Sequence, residues 1–194
     1  MSGGPVRDGT DRMPPLAREA MTPAQRVAAD EIAAGRRGEL SGPFVAAIRS
    51  PEFMRRLQQV GAYLRYEHAL PPPLREMVIL MTARSWSQQY EWYVHEPIAV
   101  DAGLSRDVID AIADGRRPVD MSAAEALLHD CVTELQRTQT FSDDTYAGAV
   151  RAFGEHAVID IVGAIGYYGT LAMIMNVART PLPAGTPPPL KALP

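Results

Sequence analysis

Apolar residues recur along this chain at intervals of three and four, and no stretch alternates in twos between hairpin signals. The pattern predicts helices throughout and no sheet, an all-α class. Thr22-Pro23 pairs an N-cap residue with proline at the first helical position and opens a helix through Val27 and Ile32 to Gly35. A short apolar stretch follows from Pro43 to Ile48. Ser50-Pro51-Glu52 repeats the cap-plus-proline start, and Phe53, Leu57, Val60 and Leu64 behind it mark one buried helix face. Pro71-Pro72-Pro73 then breaks the chain.

The next helix carries Leu74, Met77, Val78, Met81 and Thr82 at helical spacing, with Ile79 and Leu80 between them. Apolar on most sides, it is expected to lie deep in the core, with Glu76 and Arg84 as its interior polar residues. Gln88 to Ala102 forms another helix, closed by Gly103, in which Pro97 removes one backbone bond and is expected to bend or interrupt the rod. Ser105, Ser122 and Ser142 start three more, which end near Gly115, Arg137 and Gly154. The last runs from about Glu155 to Arg179, where Gly163, Gly166 and Gly169 would let a neighbouring helix approach closely. Residues 1–20 read as a loose arm and 21–180 as one helical domain. The proline-rich tail 181–194 is expected to be disordered or draped over a neighbour.

Composition narrows the function classes. The net charge of −4 argues against a nucleic-acid footprint, because the basic residues come as scattered pairs such as Arg36-Arg37 and Arg116-Arg117. The single cysteine, Cys131, allows no internal disulfide and falls in an apolar-periodic stretch, where it reads as a small buried hydrophobe. Met1 to Pro5 lacks the apolar core of a secretory signal, and no apolar run reaches membrane-spanning length without polar interruption. The expectation is a cytoplasmic protein acting on a small molecule, with no nucleic acid and no membrane as partner.

Chemistry concentrates in two places. Gln88, Glu91, Trp92 and His95 share one stripe of a helix, so a carboxylate four residues before an imidazole can accept its N–H and fix its tautomer. Taken alone, that pair reads as an ordinary surface interaction. Glu76 changes the balance, because a carboxylate in an apolar helix must be paired or hydrogen-bonded, or hold its proton. A salt bridge to Arg75 or Arg84 is its structural alternative. His68, His129 and His156 compete less well: Glu125 precedes His129 by four residues and Asp160 follows His156 by four, so each can form a helical pair of its own.

At these residues the sequence resembles the carboxymuconolactone decarboxylase family and its alkylhydroperoxidase D-like branch. The resemblance rests on Leu74-Arg75-Glu76-Met77-Val78-Ile79-Leu80, on Tyr90-Glu91-Trp92-Tyr93-Val94-His95-Glu96, and on Ala99 to Leu104. It covers roughly residues 43 to 115. The peroxidase branch carries a Glu, then Cys-x-x-Cys-x-x-x-His, with nineteen positions from Glu to His, and Glu76 and His95 keep that separation. Its two cysteine positions are Gln88 and Glu91 here, so a disulfide cycle has no thiols to run on.

The resemblance implies the decarboxylase-like branch: a helical bundle, assembled as a homo-oligomer of three or six, working without cofactor or metal. It also implies acid/base decarboxylation or isomerisation of a small carboxylated lactone or enolisable acid. Glu76, Glu91 and His95 are then the catalytic candidates, with His95 as proton donor oriented by either carboxylate. Arg84 could hold a substrate carboxylate, and Gln88, Trp86, Tyr90 and Trp92 could line the pocket, although each also fits a packing role. The three catalytic heads match a two-carboxylate, one-histidine metal site as well, which the family resemblance does not imply. Two other readings remain: a hydrolase or cyclase on the same scaffold, and a non-catalytic helical module.

Overall fold

The computed structural model describes residues 10–193, so residues 1–9 of the expected N-terminal arm and Pro194 of the tail lie outside the described residues. Among the described residues there are eight α-helices and no strand. They are α1 (Pro23–Ala34), α2 (Pro43–Ala47), α3 (Pro51–Tyr66), α4 (Pro72–Ser85), α5 (Gln89–Asp101), α6 (Arg106–Ala113), α7 (Ala123–Thr138) and α8 (Asp143–Ala178). The caps are those the sequence offers. Thr22 and Ser122 each form a reciprocal capping box, with Gln25 and Glu125, and the Ser142 side chain accepts from the Thr145 N–H.

The helix α4 is the centre of the molecule. Every residue from Glu76 to Arg84 is buried, and α4 packs against α5, α6, α7 and α8. Its all-round apolar sequence leaves it no other stable place. A second, smaller cluster joins α1, α2 and the start of α3 through Ile32, Phe44, Ile48 and Met54.

Several elements differ from expectation. The buried face of α3 is Met54, Gly61 and Leu64, while Phe53 and Val60 are about half exposed. The reason is Gly61, which seats the Tyr167 ring of α8 and turns the helix so that its small residue faces in. Pro97 does not interrupt α5, which continues to Asp101. Gly154, by contrast, does break the chain's longest helix: its φ of 82° and ψ of 160° place a kink inside α8. Of the three later glycines only Gly169 is closely approached, by the indole of Trp86, and Gly163 and Gly166 are exposed. Among the described residues α8 alone is long and apolar enough to cross a bilayer, and 56% of its most apolar window is buried within the protein.

The described part of the tail packs as a strap on its own chain. Leu190 is buried, and its backbone N–H and C=O both bond the Gln89 side-chain amide at 2.9 Å. Arg84 donates to the Lys191 carbonyl at 2.9 Å. The near end of the N-terminal segment is tied down too, with the Arg12 N–H donating to the Ala178 carbonyl at 2.8 Å. Backbone groups that would otherwise be solvated are thus satisfied by the helices beneath them.

Candidate functional site

The turn between α4 and α5 sets the site. Gln88 caps α5, its side-chain oxygen accepting from the N–H of Tyr90 at 2.7 Å and of Glu91 at 3.4 Å. Its amide nitrogen donates to Asn176 of α8 at 2.9 Å, and Asn176 donates back to the Trp86 carbonyl at 3.1 Å. One side chain therefore fixes both the start of α5 and its distance from α8.

Below that cap, Nδ1 of His95 lies 2.7 Å from Oε2 of Glu76. Both groups are buried, and Arg75 donates to the other carboxylate oxygen at 3.4 Å. Burial pushes the Glu76 carboxyl up, but the His95 hydrogen bond and charge and the Arg75 guanidinium outweigh it and hold the group below its ordinary value. An ionised Glu76 can only accept, so Nδ1 carries the hydrogen and Nε2 is the free edge of the ring. The question of which carboxylate orients the imidazole has its answer in this distance: it is Glu76. Tyr168 packs edge-on against the His95 ring, 5.3 Å between centroids, with Tyr167 edge-on behind it at 5.1 Å.

The far side of His95 lines a cavity of about 90 Å³. Its wall is built from Arg37, Ser41 and Gly42 of the α1–α2 connection, Arg65 of α3, Tyr90, Glu91 and His95 of α5, and Tyr168 of α8. Glu76 stands behind the imidazole and is not part of the wall. Gly42 is required where it is: its φ is +55°, and a β-carbon there would lie 2.8 Å from the Tyr90 ring. Arg37 is held in place by Gln58 at 2.5 Å, by the Tyr167 hydroxyl at 3.4 Å and by the Phe44 ring beneath it. Arg65 lines the cavity with its guanidinium over the Tyr66 ring, and it makes no hydrogen bond or ion pair among the described residues.

Glu91 is 3% exposed, and neither carboxyl oxygen has a partner. Burial alone raises it well above the ordinary carboxyl value. The two carboxyl groups that sequence reasoning placed together thus have opposite environments. One is paired and ionised; the other is buried without a protein partner. Among the described residues no three His, Cys, Asp or Glu side chains are spaced to hold a metal ion, so Glu91 does not join Glu76 and His95 as a ligand set.

Of the remaining expected site residues, Tyr90 lines the cavity and the rest do not. Arg84 is buried against the tail strap, Trp86 is 43% exposed beside Gly169, and Trp92 is buried with its indole N–H on Glu96 at 2.8 Å. Sequence reasoning missed Arg37, Arg65 and Tyr168. Only Tyr168 left a signal, as half of a bulky Tyr167-Tyr168 pair among the small residues of α8.

The other histidines sit elsewhere. His156 and the Tyr63 hydroxyl meet at 2.8 Å beside Asp160, as the helical spacing suggests. His129 turns to Arg117 at 3.1 Å, and no bond to Glu125 forms. The Cys131 thiol is buried and pushed up to about 11, as an inert core residue should be.

Residues 51–129 match the family model described as the carboxymuconolactone decarboxylase family. Over that stretch the chain is similar to the carboxymuconolactone decarboxylase family. Among curated proteins, none matches the chain. The matched stretch holds Arg65, Glu76, Glu91 and His95, whereas Arg37, Gly42 and Tyr168 come from chain on either side of the family segment. The Glu76–His95 pair therefore lies inside the matched stretch, and part of the cavity wall lies outside it.

Proposed function

We propose that the chain is a decarboxylase-like enzyme that performs cofactor-free acid/base chemistry on a small carboxylated lactone or enolisable acid. The observation that carries this reading is the Glu76–His95 pair: a buried carboxylate holds one edge of an imidazole and leaves the other edge facing a cavity with two guanidinium groups. In a β,γ-unsaturated lactone acid, loss of CO2 breaks one C–C bond and sends its electron pair through the double bond to the lactone carbonyl oxygen. Nε2 of His95 first takes up a proton from solvent, giving an imidazolium that the ionised Glu76 stabilises; that proton passes to ring carbon and completes the product, leaving the ring neutral with its hydrogen on Nδ1. The positive wall of Arg37 and Arg65 suits both the carboxylate that binds and the dienolate oxygen that develops. Tyr90 and Tyr168 exclude water around that charge.

The same reading makes the protein a cytoplasmic homo-oligomer. Ile159, Val162, Met173 and Val177 leave an exposed apolar stripe on α8, which supports self-association as trimer or hexamer; sedimentation of the full chain measures it.

The functional test is CO2 release from a panel of carboxylated five-membered lactones, comparing the native chain with His95→Ala. At least one lactone should turn over, and the variant should lose about 100-fold or more with helicity and assembly unchanged. Unchanged turnover in a folded His95→Ala protein would leave the pair as a packing network only.

A further inference from the structure

Glu91 is a buried carboxyl that no packing interaction explains. It borders the cavity from α5, one helical turn before His95, and both of its buried oxygens lack a partner. Polar groups in such positions are normally satisfied, and one that is not marks the place of a missing ligand atom. An ionised carboxylate there would be an uncompensated buried charge, because neither cavity arginine reaches it: no ion pair joins Glu91 to Arg37 or Arg65 among the described residues. A neutral carboxyl has one O–H to give and one C=O to receive.

We propose that Glu91 is the cavity's hydrogen-bond donor: it keeps its proton at neutral pH and gives a hydrogen bond to a carbonyl oxygen of a ligand whose carboxylate is held by Arg65. The inference rests on the acid/base reading of the cavity and deepens it, by stating that the ligand must carry two oxygen functions of different kinds. Arg65 supplies charged donors for the anionic end. Glu91 supplies a neutral donor for the carbonyl end, where an arginine would bind a second carboxylate equally well. The pair therefore suits a ligand that carries a carboxylate and, beside it, a carbonyl oxygen. As electrons reach that carbonyl, the Glu91 hydrogen bond strengthens, which is the differential stabilisation a catalytic donor needs.

Charged and titratable groups reach this region from every side: Arg37 beside α2, Arg65 of α3, Glu76 of α4, Tyr90 and His95 of α5, and Tyr167 and Tyr168 of α8. None donates to Glu91.

Two measurements on the full chain test this. The first is infrared difference spectroscopy of the unliganded protein at pH 7, native against Glu91→Gln and Glu76→Gln. A protonated-carboxyl C=O band should be present in the native protein, vanish in Glu91→Gln and persist in Glu76→Gln. No such band, or one that survives Glu91→Gln, overturns the assignment.

The second is calorimetric binding of two probes, 5-oxotetrahydrofuran-2-carboxylate and its carbonyl-free analogue tetrahydrofuran-2-carboxylate. The native chain should prefer the lactone by about tenfold, Glu91→Gln should keep most of that preference through its amide N–H, and Glu91→Leu should lose it. Equal discrimination by Glu91→Leu overturns the ligand half. If no lactone is turned over yet the band and the probe preference stand, the decarboxylase reading fails and this one survives. If turnover depends on His95 but the band is missing, the reverse holds.

Discussion

Gly61 of α3 and Tyr167 of α8 meet so closely that a β-carbon on the glycine would lie 1.9 Å from the phenol oxygen. That contact sets the rotation of α3 and, through the Tyr167 hydroxyl's contact with Arg37, the near wall of the cavity. Gly61→Ala forces the ring or the helix to move. We expect a loss of about 1–3 kcal/mol in urea unfolding despite alanine's better helix propensity. A stabilised variant would show that the two helices are not in contact there.

The Glu76–His95 pair separates charge from shape. Glu76→Gln keeps an acceptor near Nδ1 but removes the charge, so turnover should fall roughly 100-fold with the fold retained. Its acid stability should change as well. Glu76 sits below its ordinary value of 4.5 in the folded protein, so the stability it contributes is present above that value and drains away as pH falls through the folded one. Thermal melts in this acid range should therefore decline more steeply for the native chain than for Glu76→Gln.

Glu91 has the opposite sign. The folded group holds its proton where the unfolded chain, at the ordinary value of 4.5, has released it. Stability from this residue is complete below 4.5 and is lost as pH rises towards the folded value. Glu91→Leu removes that dependence along with an unsatisfied carboxyl. At pH 8 the variant should be more stable by about 1–2 kcal/mol, with the difference closing as pH approaches 4.5. Melts across that range check it.

Gln89 grips Leu190 with both ends of its amide, as a strand would. In Gln89→Ala the strap loses both bonds, and the tail should be clipped several-fold faster by a broad-specificity protease, with helix α5 undamaged. Mass spectrometry of the early fragments locates the cuts; an unchanged rate would mean that burial of Leu190 alone holds the tail.

The thiol of Cys131 should be silent towards a disulfide reagent at pH 7 in the native protein and react fully once it is unfolded. Rapid native labelling would contradict its burial.

The helices were legible because their signals are local. Caps such as Thr22 and Ser122 lie within three residues of what they cap, and the unbroken apolar run of α4 fits only a core. Glu76 could be read as needing a partner, since an apolar neighbourhood makes that demand wherever the partner is. The choice between Glu76 and Glu91 as the orienting group could not be read, because both spacings permit it.

Other parts were illegible for a common reason. Arg84, Gln88 and Arg37 are polar residues whose partners lie far along the chain, at Lys191, Asn176 and Tyr167. No spacing rule reports such pairs. The face of α3 was misread because large apolar residues drew the stripe, whereas the packing turns on a glycine.

Helices α4 and α5, joined by only three residues, carry both members of the dyad. Its aim therefore travels with a hairpin and survives rearrangement elsewhere. The opposite boundary, from Arg37 to Gly42 and at Tyr168, belongs to chain beyond the family segment. Changes to that boundary can therefore reshape the cavity without disturbing the hairpin that holds the dyad.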